Sequence, residues 1–216
     1  MESRPNSSEE ISKPAERILR RLLWGVLIAV IVGIVGASIW SLLHHPSSNT
    51  PIAYDRVPHF ALTNQRGTTM TSVDLQGKIW VVDFIFTRCV AACPLMMDKM
   101  AKLQAEFAEE NVYFVSVSVD PEHDTPEVLF RYADRFGVDH DKWSMLTGAK
   151  DTIYQLSHKG FNLAVGEQKS EILHSSRFVL VDSQGQIRDY YDSNESDALQ
   201  QLRKDIKTLL RSESKK

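Results

Sequence analysis

Only two cysteines occur in this chain of 216 residues, and both fall in one short segment, Cys89-Val90-Ala91-Ala92-Cys93-Pro94. Their flanks constrain the fold. Upstream, residues 79–86 (IWVVDFIF) form a nearly continuous β-branched and aromatic run, which predicts a strand covered on both faces. Downstream, Met96, Met100, Leu103 and Phe107 recur at helical spacing. Both thiols therefore belong to a strand-to-helix turn, where they can meet each other and a third group. Two cysteines four positions apart in such a turn point to redox chemistry or to a soft metal. A purely structural disulfide is the bland alternative, but it would close too small a loop to remove much chain entropy.

The rest of the chain from residue 57 alternates strands with helices. Residues 60–63 read as a short strand followed by a turn at 64–67, and 112–119 as a second buried strand. Thr125-Pro126 predicts a helix start, with the hydroxyl as cap and proline in the first turn. Val128, Leu129, Tyr132, Ala133 and Phe136 form its inward face, and Gly137 ends it. Residues 153–158 suggest a short helix. Residues 177–181 and 186–191 flank Asp182-Ser183-Gln184-Gly185, a hairpin signature, and 197–210 close the domain as an amphipathic helix. This order predicts a three-layer α/β domain, and a cysteine pair delivered by a βαβ unit to a helix start predicts the thioredoxin-like class.

The N-terminal part is different. Residues 22–43 (LLWGVLIAVIVGIVGASIWSLL) carry no charge and as a helix would span ~33 Å, about the thickness of a bilayer's hydrocarbon core. Trp24 and Trp40 fall near the two ends, where amphipathic rings favour the interface. The run is longer than a signal h-region and no A-x-A site follows it. Lys13, Arg17, Arg20 and Arg21 precede it, whereas the first charge after it is Asp55. The positive-inside rule then keeps the N-terminus cytoplasmic and sends the remainder across, into a compartment that is commonly oxidising. The expectation is a cytoplasmic tail (1–21), one transmembrane helix (22–43), a polar linker (44–56) and a folded domain (57–216). A single-pass protein of the bacterial inner membrane with a periplasmic domain fits best, ahead of a mitochondrial inner-membrane equivalent, because the acidic tail is poor for a transit peptide. A net charge of −3 argues against a nucleic-acid partner.

Several segments together resemble the Sco/SenC family. They are 83–89 (DFIFTRC) with the C-x3-C-P that follows, 117–126 (VSVDPEHDTP), 143–148 (WSMLTG) and 173–176 (LHSS). The resemblance covers roughly residues 57–210, with the segments in the same order. It implies a membrane-tethered, thioredoxin-like domain that binds a copper ion. It also implies delivery of copper or reducing equivalents to the cytochrome c oxidase subunit that carries the binuclear copper site. Other periplasmic copper chaperones or thiol reductants would be further partners. Carried over by position, the copper ligands are Cys89, Cys93 and His174. The chain departs from the family in having Val90-Ala91-Ala92 where Pro-Asp-x is usual and Leu173 where an aspartate usually precedes the histidine. Both changes remove carboxylates.

Such a set of two sulfurs and one nitrogen suits Cu(I) and is one ligand short for structural zinc. The x3 spacing is wider than the usual C-x2-C redox pair, which lets both sulfurs converge on an ion while still permitting a disulfide. Cys93, at the helix start, is expected to have its thiolate favoured by the amide dipoles, with Arg88 assisting. If the pair were a thiol-disulfide oxidoreductase instead, Cys89 would be the exposed attacking cysteine and Cys93 the resolving one. A peroxiredoxin-like reading is poorer, since Thr87 precedes Cys89 by only two positions. Met96 is read as core and Met97 as exposed near the site. His123, His140 and His158 are read as surface residues, His59 as a strand-entry residue, and His44 and His45 as part of the linker. Asp120 and Asp124 are read as turn and capping residues rather than a hard-metal site.

Overall fold

The structure, a computed structural model, describes residues 12–43, 56–168, 171–173 and 175–214. The tail before residue 12, residues 44–55 of the expected linker with His44 and His45, and His174 lie outside the described residues. Contacts divide the chain into two units, Met1–Thr50 and Pro51–Lys216.

The first unit contains helix α1 (Ser12–Leu43), which begins well before the uncharged run. Pro14 sits in its opening turn, where a missing N–H costs no intrahelical bond. The side chains described on it, 21–36, are all exposed, and apolar ones such as Leu22, Trp24, Val26 and Val32 dominate. Among the described residues no helix is long and apolar enough to cross a membrane. The described side chains of α1 extend over roughly 24 Å of helix at 1.5 Å per residue.

The second unit opens with β1 (Ala61–Asn64), β2 (Thr69–Thr71) and a 3₁₀ turn, Ser72–Leu75. Strand β3 (Ile79–Ile85) leads through the cysteine loop into α2 (Ala92–Glu106). Then come β4 (Val112–Ser118), α3 (Pro126–Arg135), β5 (Trp143–Thr147) and α4 (Lys150–Gln155). A π-helical turn, Leu156–Gly160, extends α4, so the short helix expected at 153–158 is two tighter and looser pieces covering 150–160. A small hairpin, β6 (Gly166–Gln168) and β7 (Glu171–Leu173), had no counterpart in the sequence reading. The chain closes with β8 (Arg177–Val181), β9 (Ile187–Asp192) and α5 (Ala198–Glu213).

Seven strands form one sheet in the order β2-β1-β5-β4-β3-β8-β9. The central strands β3, β4 and β5 run parallel, and β1, β8 and β9 add antiparallel edges. Every residue of β3 is buried, as its unbroken apolar run required. Alternate residues of a strand face opposite sides, so β3 feeds two cores. Trp80, Val82 and Phe84 pack with Leu62, Leu146, Ile153 and Phe161. Ile79, Val81 and Ile85 pack beneath α2, α3 and α5, with Cys93, Met96, Met100, Leu129, Tyr132 and Leu202. Asp83 falls on this second face, in register with Ser116 of β4.

The punctuation residues behave as their chemistry dictates. Thr125 caps α3 by accepting the Val128 N–H at 3.4 Å, with Pro126 in the first turn. Gly137, at φ +64°, takes the left-handed position after α3. In the β8–β9 turn Asp182 Oδ1 accepts the N–H groups of Gln184 and Gln186, each at 2.9 Å.

Candidate metal centre

The cysteine loop leaves β3 at Ile85 and is fastened to the neighbouring β4–α3 loop by two aspartates. Asp124 is fully buried and accepts three donors: the Thr87 N–H at 3.0 Å, the Thr87 hydroxyl at 2.5 Å and the Ser118 hydroxyl at 2.5 Å. A buried carboxylate is tolerable only with such compensation. Asp120 Oδ2 takes both Nε and Nη2 of Arg88, at 2.9 and 2.8 Å, and its Oδ1 meets His123 Nδ1 at 3.0 Å. These two residues are therefore more than turn and capping groups. They tie Thr87 and Arg88, the residues just before Cys89, to a second segment of the fold. Arg88 spends its charge on Asp120, not on the sulfurs.

The loop then turns, with the Cys89 N–H donating to the Phe86 carbonyl at 3.2 Å. Cys89 is half-buried and Cys93 fully buried, both as thiols. The Cys93 N–H donates to Cys89 Sγ at 3.4 Å, which brings the two residues together. The electrostatics invert the expectation from the helix dipole. Partial burial works against a Cys89 thiolate, yet the N–H groups of Cys93, Ala91 and Ala92 and the Cys93 thiol together hold its pKa below the ordinary thiol value. The Cys93 thiol is pushed well up, first by burial and then by hydrogen bonding to Cys89 and by the charges of Cys89 and Asp83. First-turn amides point back out of a helix, toward the residue before it, whereas side chains within the helix lean on the core. The dipole thus serves Cys89.

The ground beneath the sulfurs is apolar with two polar intrusions. Met96, Met97 and Met100 are buried, at 1 %, 0 % and 0 % exposure. Met97 is not the exposed thioether expected from its place off the helical stripe. The carboxyl of Asp83 is completely buried, and among the described residues neither oxygen has a well-aligned hydrogen-bond partner. Burial raises its pKa to about 7, with Ser116 the largest opposing influence. Ser116 Oγ itself accepts the Trp143 indole N–H at 3.0 Å. Tyr132 of α3, buried in the same core, also has no partner for its hydroxyl among the described residues. Two apolar side chains of this segment face solvent, Val90 between the cysteines at 94 % exposure and Leu95 just after Cys93 at 63 %.

Of the three expected ligands, Cys89 and Cys93 come together, and His174 lies outside the described residues. Among the described residues no group of three histidine, cysteine or acidic side chains is arranged to hold a metal. The segment after 174 is nonetheless tied toward the site's helix. The Ser193 N–H donates to the Ser176 carbonyl at 2.7 Å, and Lys99 of α2 donates to the Ser193 carbonyl. His123 and His158 are exposed, as expected. His140 is instead partly buried, stacked on Phe130 at 4.3 Å between Gln65 and Asp134. Sequence reasoning missed the stapling role of Asp120 and Asp124 and the polar pair Asp83 and Tyr132. Asp83 did carry a signal, as the one charged residue in an apolar strand.

Two adjacent sulfurs, one poised as thiolate and one buried, can hold a soft ion or exchange with a disulfide.

The family model described as SCO1/SenC matches residues 49–211. A protein named SCO1 protein homolog from Bacillus subtilis (strain 168) is 34 % identical over 163 residues, covering 73 % of this chain and 84 % of that one. The solved structure of BsSco, described as a member of the Sco family of cytochrome c oxidase assembly proteins with a disulfide switch, is 32 % identical. It superimposes with a TM-score of 0.67 over 74 % of this chain and 96 % of its own. The structure of Arabidopsis thaliana ScoI with copper bound is 25 % identical, with a TM-score of 0.62 over 71 % and 99 % of the two chains.

Proposed function

The chain belongs to the SCO1/SenC family, and from that premise we propose that it is a membrane-anchored copper metallochaperone. Its cargo is Cu(I), held by Cys89, Cys93 and His174 and passed to the cytochrome c oxidase subunit that carries the binuclear copper site. The observation that carries this reading is the cysteine loop itself, where the Cys93 N–H meets Cys89 Sγ at 3.4 Å. Two soft donors stand there in an apolar setting, with no carboxylate between the cysteines. Copper bound to Arabidopsis thaliana ScoI and the oxidase-assembly role ascribed to BsSco support the cargo and the destination. Cys89, the less buried of the two and inclined to the thiolate, is the sulfur that an acceptor's thiols reach first. His174 completes a three-coordinate set of the kind Cu(I) accepts.

Titration of the reduced protein with Cu(I) against a chromophoric chelator tests the ligand set. One ion should bind tightly, and Cys89→Ser, Cys93→Ser or His174→Ala should each lower the affinity by at least about a hundredfold, two to three kcal/mol or more. Wild-type affinity in any of the three removes that residue from the set.

We further propose that residues 22–43 anchor the protein in the bacterial inner membrane, with residues 1–21 cytoplasmic, 44–56 as linker and the domain from 57 in the periplasm. The uncharged run and the continuous helix Ser12–Leu43 support this. Removing residues 1–43 should release the protein from washed membranes; retention would refute the anchor.

A second reading is favoured by one specific feature, the unequal thiols. A half-buried Cys89 of lowered pKa beside a fully buried Cys93 of raised pKa is the arrangement of a thiol-disulfide oxidoreductase, in which the first attacks and the second resolves. BsSco is described with a disulfide switch. A Cys93→Ser variant that traps a partner as a mixed disulfide, with copper affinity of the wild-type chain weak, would shift the assignment to this chemistry.

A further inference from the structure

Among the described residues of the second unit, the large apolar side chains left exposed are Val73, Val90, Leu95 and Phe130. The two most exposed of them, Val90 and Leu95, belong to the cysteine segment. Single apolar side chains scattered over a surface need no explanation, but these two are joined. Leu95 stands three and four positions after Ala92 and Ala91, so the three share one side of the first turn of α2. Ala91 is exposed, Ala92 half-buried, and Val90 directly precedes them. From residue 90 to residue 95 no side chain is charged, and the one polar group, the Cys93 thiol, is turned into the core. The strip is also held in place. Thr87 and Arg88, just before Cys89, are fastened to Asp124 and Asp120, and the Cys93 N–H reaches back to Cys89 Sγ. A surface already fixed loses little freedom when something docks on it.

What covers the strip follows from the chemistry at Cys89. Neither ligand exchange nor disulfide exchange acts at a distance: a second sulfur must come within bonding range of the Cys89 sulfur or of the ion it holds. Successive Cα atoms are about 3.8 Å apart, so an acceptor that reaches Cys89 closes over Val90 as well. The charges on either side limit what that acceptor presents. Arg88 is committed to Asp120, which also meets His123, and the next charge after the strip is Asp98, further along α2. A charged group set opposite Val90 would lose its water and gain no partner. A bilayer is the poorer occupant, because residues 89–98 contain no basic side chain to meet lipid headgroups. We propose that residues 90–95 are a preformed apolar docking strip, and that the acceptor protein it fits carries an apolar, uncharged surface around its own thiol. The inference rests on the reading of Cys89 as the sulfur an acceptor reaches, and it holds for either of the two chemistries above.

The test uses the full chain in phosphatidylcholine nanodiscs, carrying Cys93→Ser so that the reaction stops at Cys89. The probes are three tripeptides, a cysteine flanked by two leucines, two glutamates or two lysines, each activated as its pyridyl disulfide. The Cys89 thiolate attacks the peptide sulfur and the Cys89–peptide bond forms. The bond to the pyridyl sulfur breaks, and the pyridinethiolate leaves with the electron pair and takes a proton to give the absorbing thione. The attacking sulfur is common to all three reactions, so the ratio of their rates reads its surroundings. The leucine probe should react about tenfold faster than either charged probe. Val90→Asp and Leu95→Asp, each in the same background, should lower that preference by about threefold or more and make the lysine probe the fastest. Methyl methanethiosulfonate, a small neutral reagent, should react with Cys89 in both variants at a rate within about twofold of the parent, since neither change touches the sulfur.

Equal rates for the three probes, or a leucine preference that survives both substitutions, would overturn the proposal. So would a large change in the rate with the small reagent. A faster reaction in the aspartate variants marks a strip that had been lying in the bilayer, and a slower one marks a disturbed Cys89. If the chain takes no Cu(I), the metallochaperone reading fails, and the probe ratios still decide the docking surface, because they need no metal.

Discussion

The buried carboxyl of Asp83 makes this fold less stable as the pH rises through neutrality, against the usual behaviour of carboxylates. Its pKa stands near 7 in the folded protein and 3.8 is its ordinary value, the difference coming from burial, which the neighbouring Ser116 hydroxyl offsets only in part. Below ~4 the group is protonated in both states and contributes nothing. Between ~4 and ~7 the unfolded chain releases the proton while the folded chain keeps it. The folded state then binds more protons, so stability falls with increasing pH. Above ~7 the loss is complete, on the order of 4 kcal/mol at 1.36 kcal/mol per unit. Other carboxylates act in the opposite sense, notably Glu106, which its hydrogen bond to Lys207 and then Arg203 hold low. The comparison therefore needs Asp83→Asn, which keeps the shape and removes the titration. Urea unfolding of both reduced, metal-free proteins, followed by tryptophan fluorescence from pH 4 to 8.5, gives the difference directly. The Asn variant should match or trail wild type near pH 4 and exceed it by several kcal/mol at pH 8, the gap opening between pH 5 and 7. A difference that stays flat across this range, or one that closes as pH rises, would refute the assignment of a buried, unpartnered carboxyl.

Further expectations concern the cysteine loop. With iodoacetamide at pH 7, Cys93→Ser should be alkylated at Cys89 at least ten times faster than Cys89→Ser is at Cys93, as read by mass spectrometry, because only Cys89 is both accessible and inclined to the thiolate. Equal rates would contradict the asymmetry of the pair. Asp124→Ala removes the acceptor of Thr87 and Ser118 and should cost about 3 kcal/mol in urea unfolding. It should also raise amide hydrogen exchange in residues 86–91, and unchanged exchange there would show that the loop does not depend on this anchor.

The sheet was legible because its central strands carry their own evidence. Ile79–Ile85 is apolar but for Asp83, and Val112–Ser118 but for Tyr113 and two serines, as suits strands covered on both faces. Thr125-Pro126 and the Asp182–Gly185 turn were legible because one side chain and the next few amides settle them locally. What escaped was non-local. The π-helical turn at Leu156–Gly160 closes against Pro58, far away in sequence, whose ring stands about 3 Å from where a Gly160 side chain would begin. Asp120 and Asp124 look like turn residues because their partners Arg88 and Thr87 lie more than thirty positions upstream. Met97 was misplaced because helical spacing assumes one covered face. On α2 the neighbouring positions Met96 and Met97 are both buried, so its covered sector is wider than the stripe of Met96, Met100 and Leu103.

The misassigned thiol shows most plainly what spacing alone does not give. In a strand–loop–helix unit the cysteine within the helix looks like the one the dipole should activate. The amides that make up the positive end point backward along the axis, so they favour an anion held ahead of the helix. Cys89, three residues before Ala92–Cys93, collects those amides, and Cys93 is drawn into the core with Met96 and Met100. Ionisation and access therefore reside on one sulfur, while the other is burdened by burial and lies beside a second acid, Asp83, that burial also keeps from ionising readily. A site arranged this way gives its two sulfurs different tasks whichever chemistry it performs. Cys89 is the point of arrival and departure. Cys93 responds only when something, a soft cation or a disulfide at Cys89, makes its ionisation worth the cost of the buried charge. The wider x3 spacing is compatible with that division, because it lets Cys93 seat fully in the helix while its N–H still reaches back to the Cys89 sulfur.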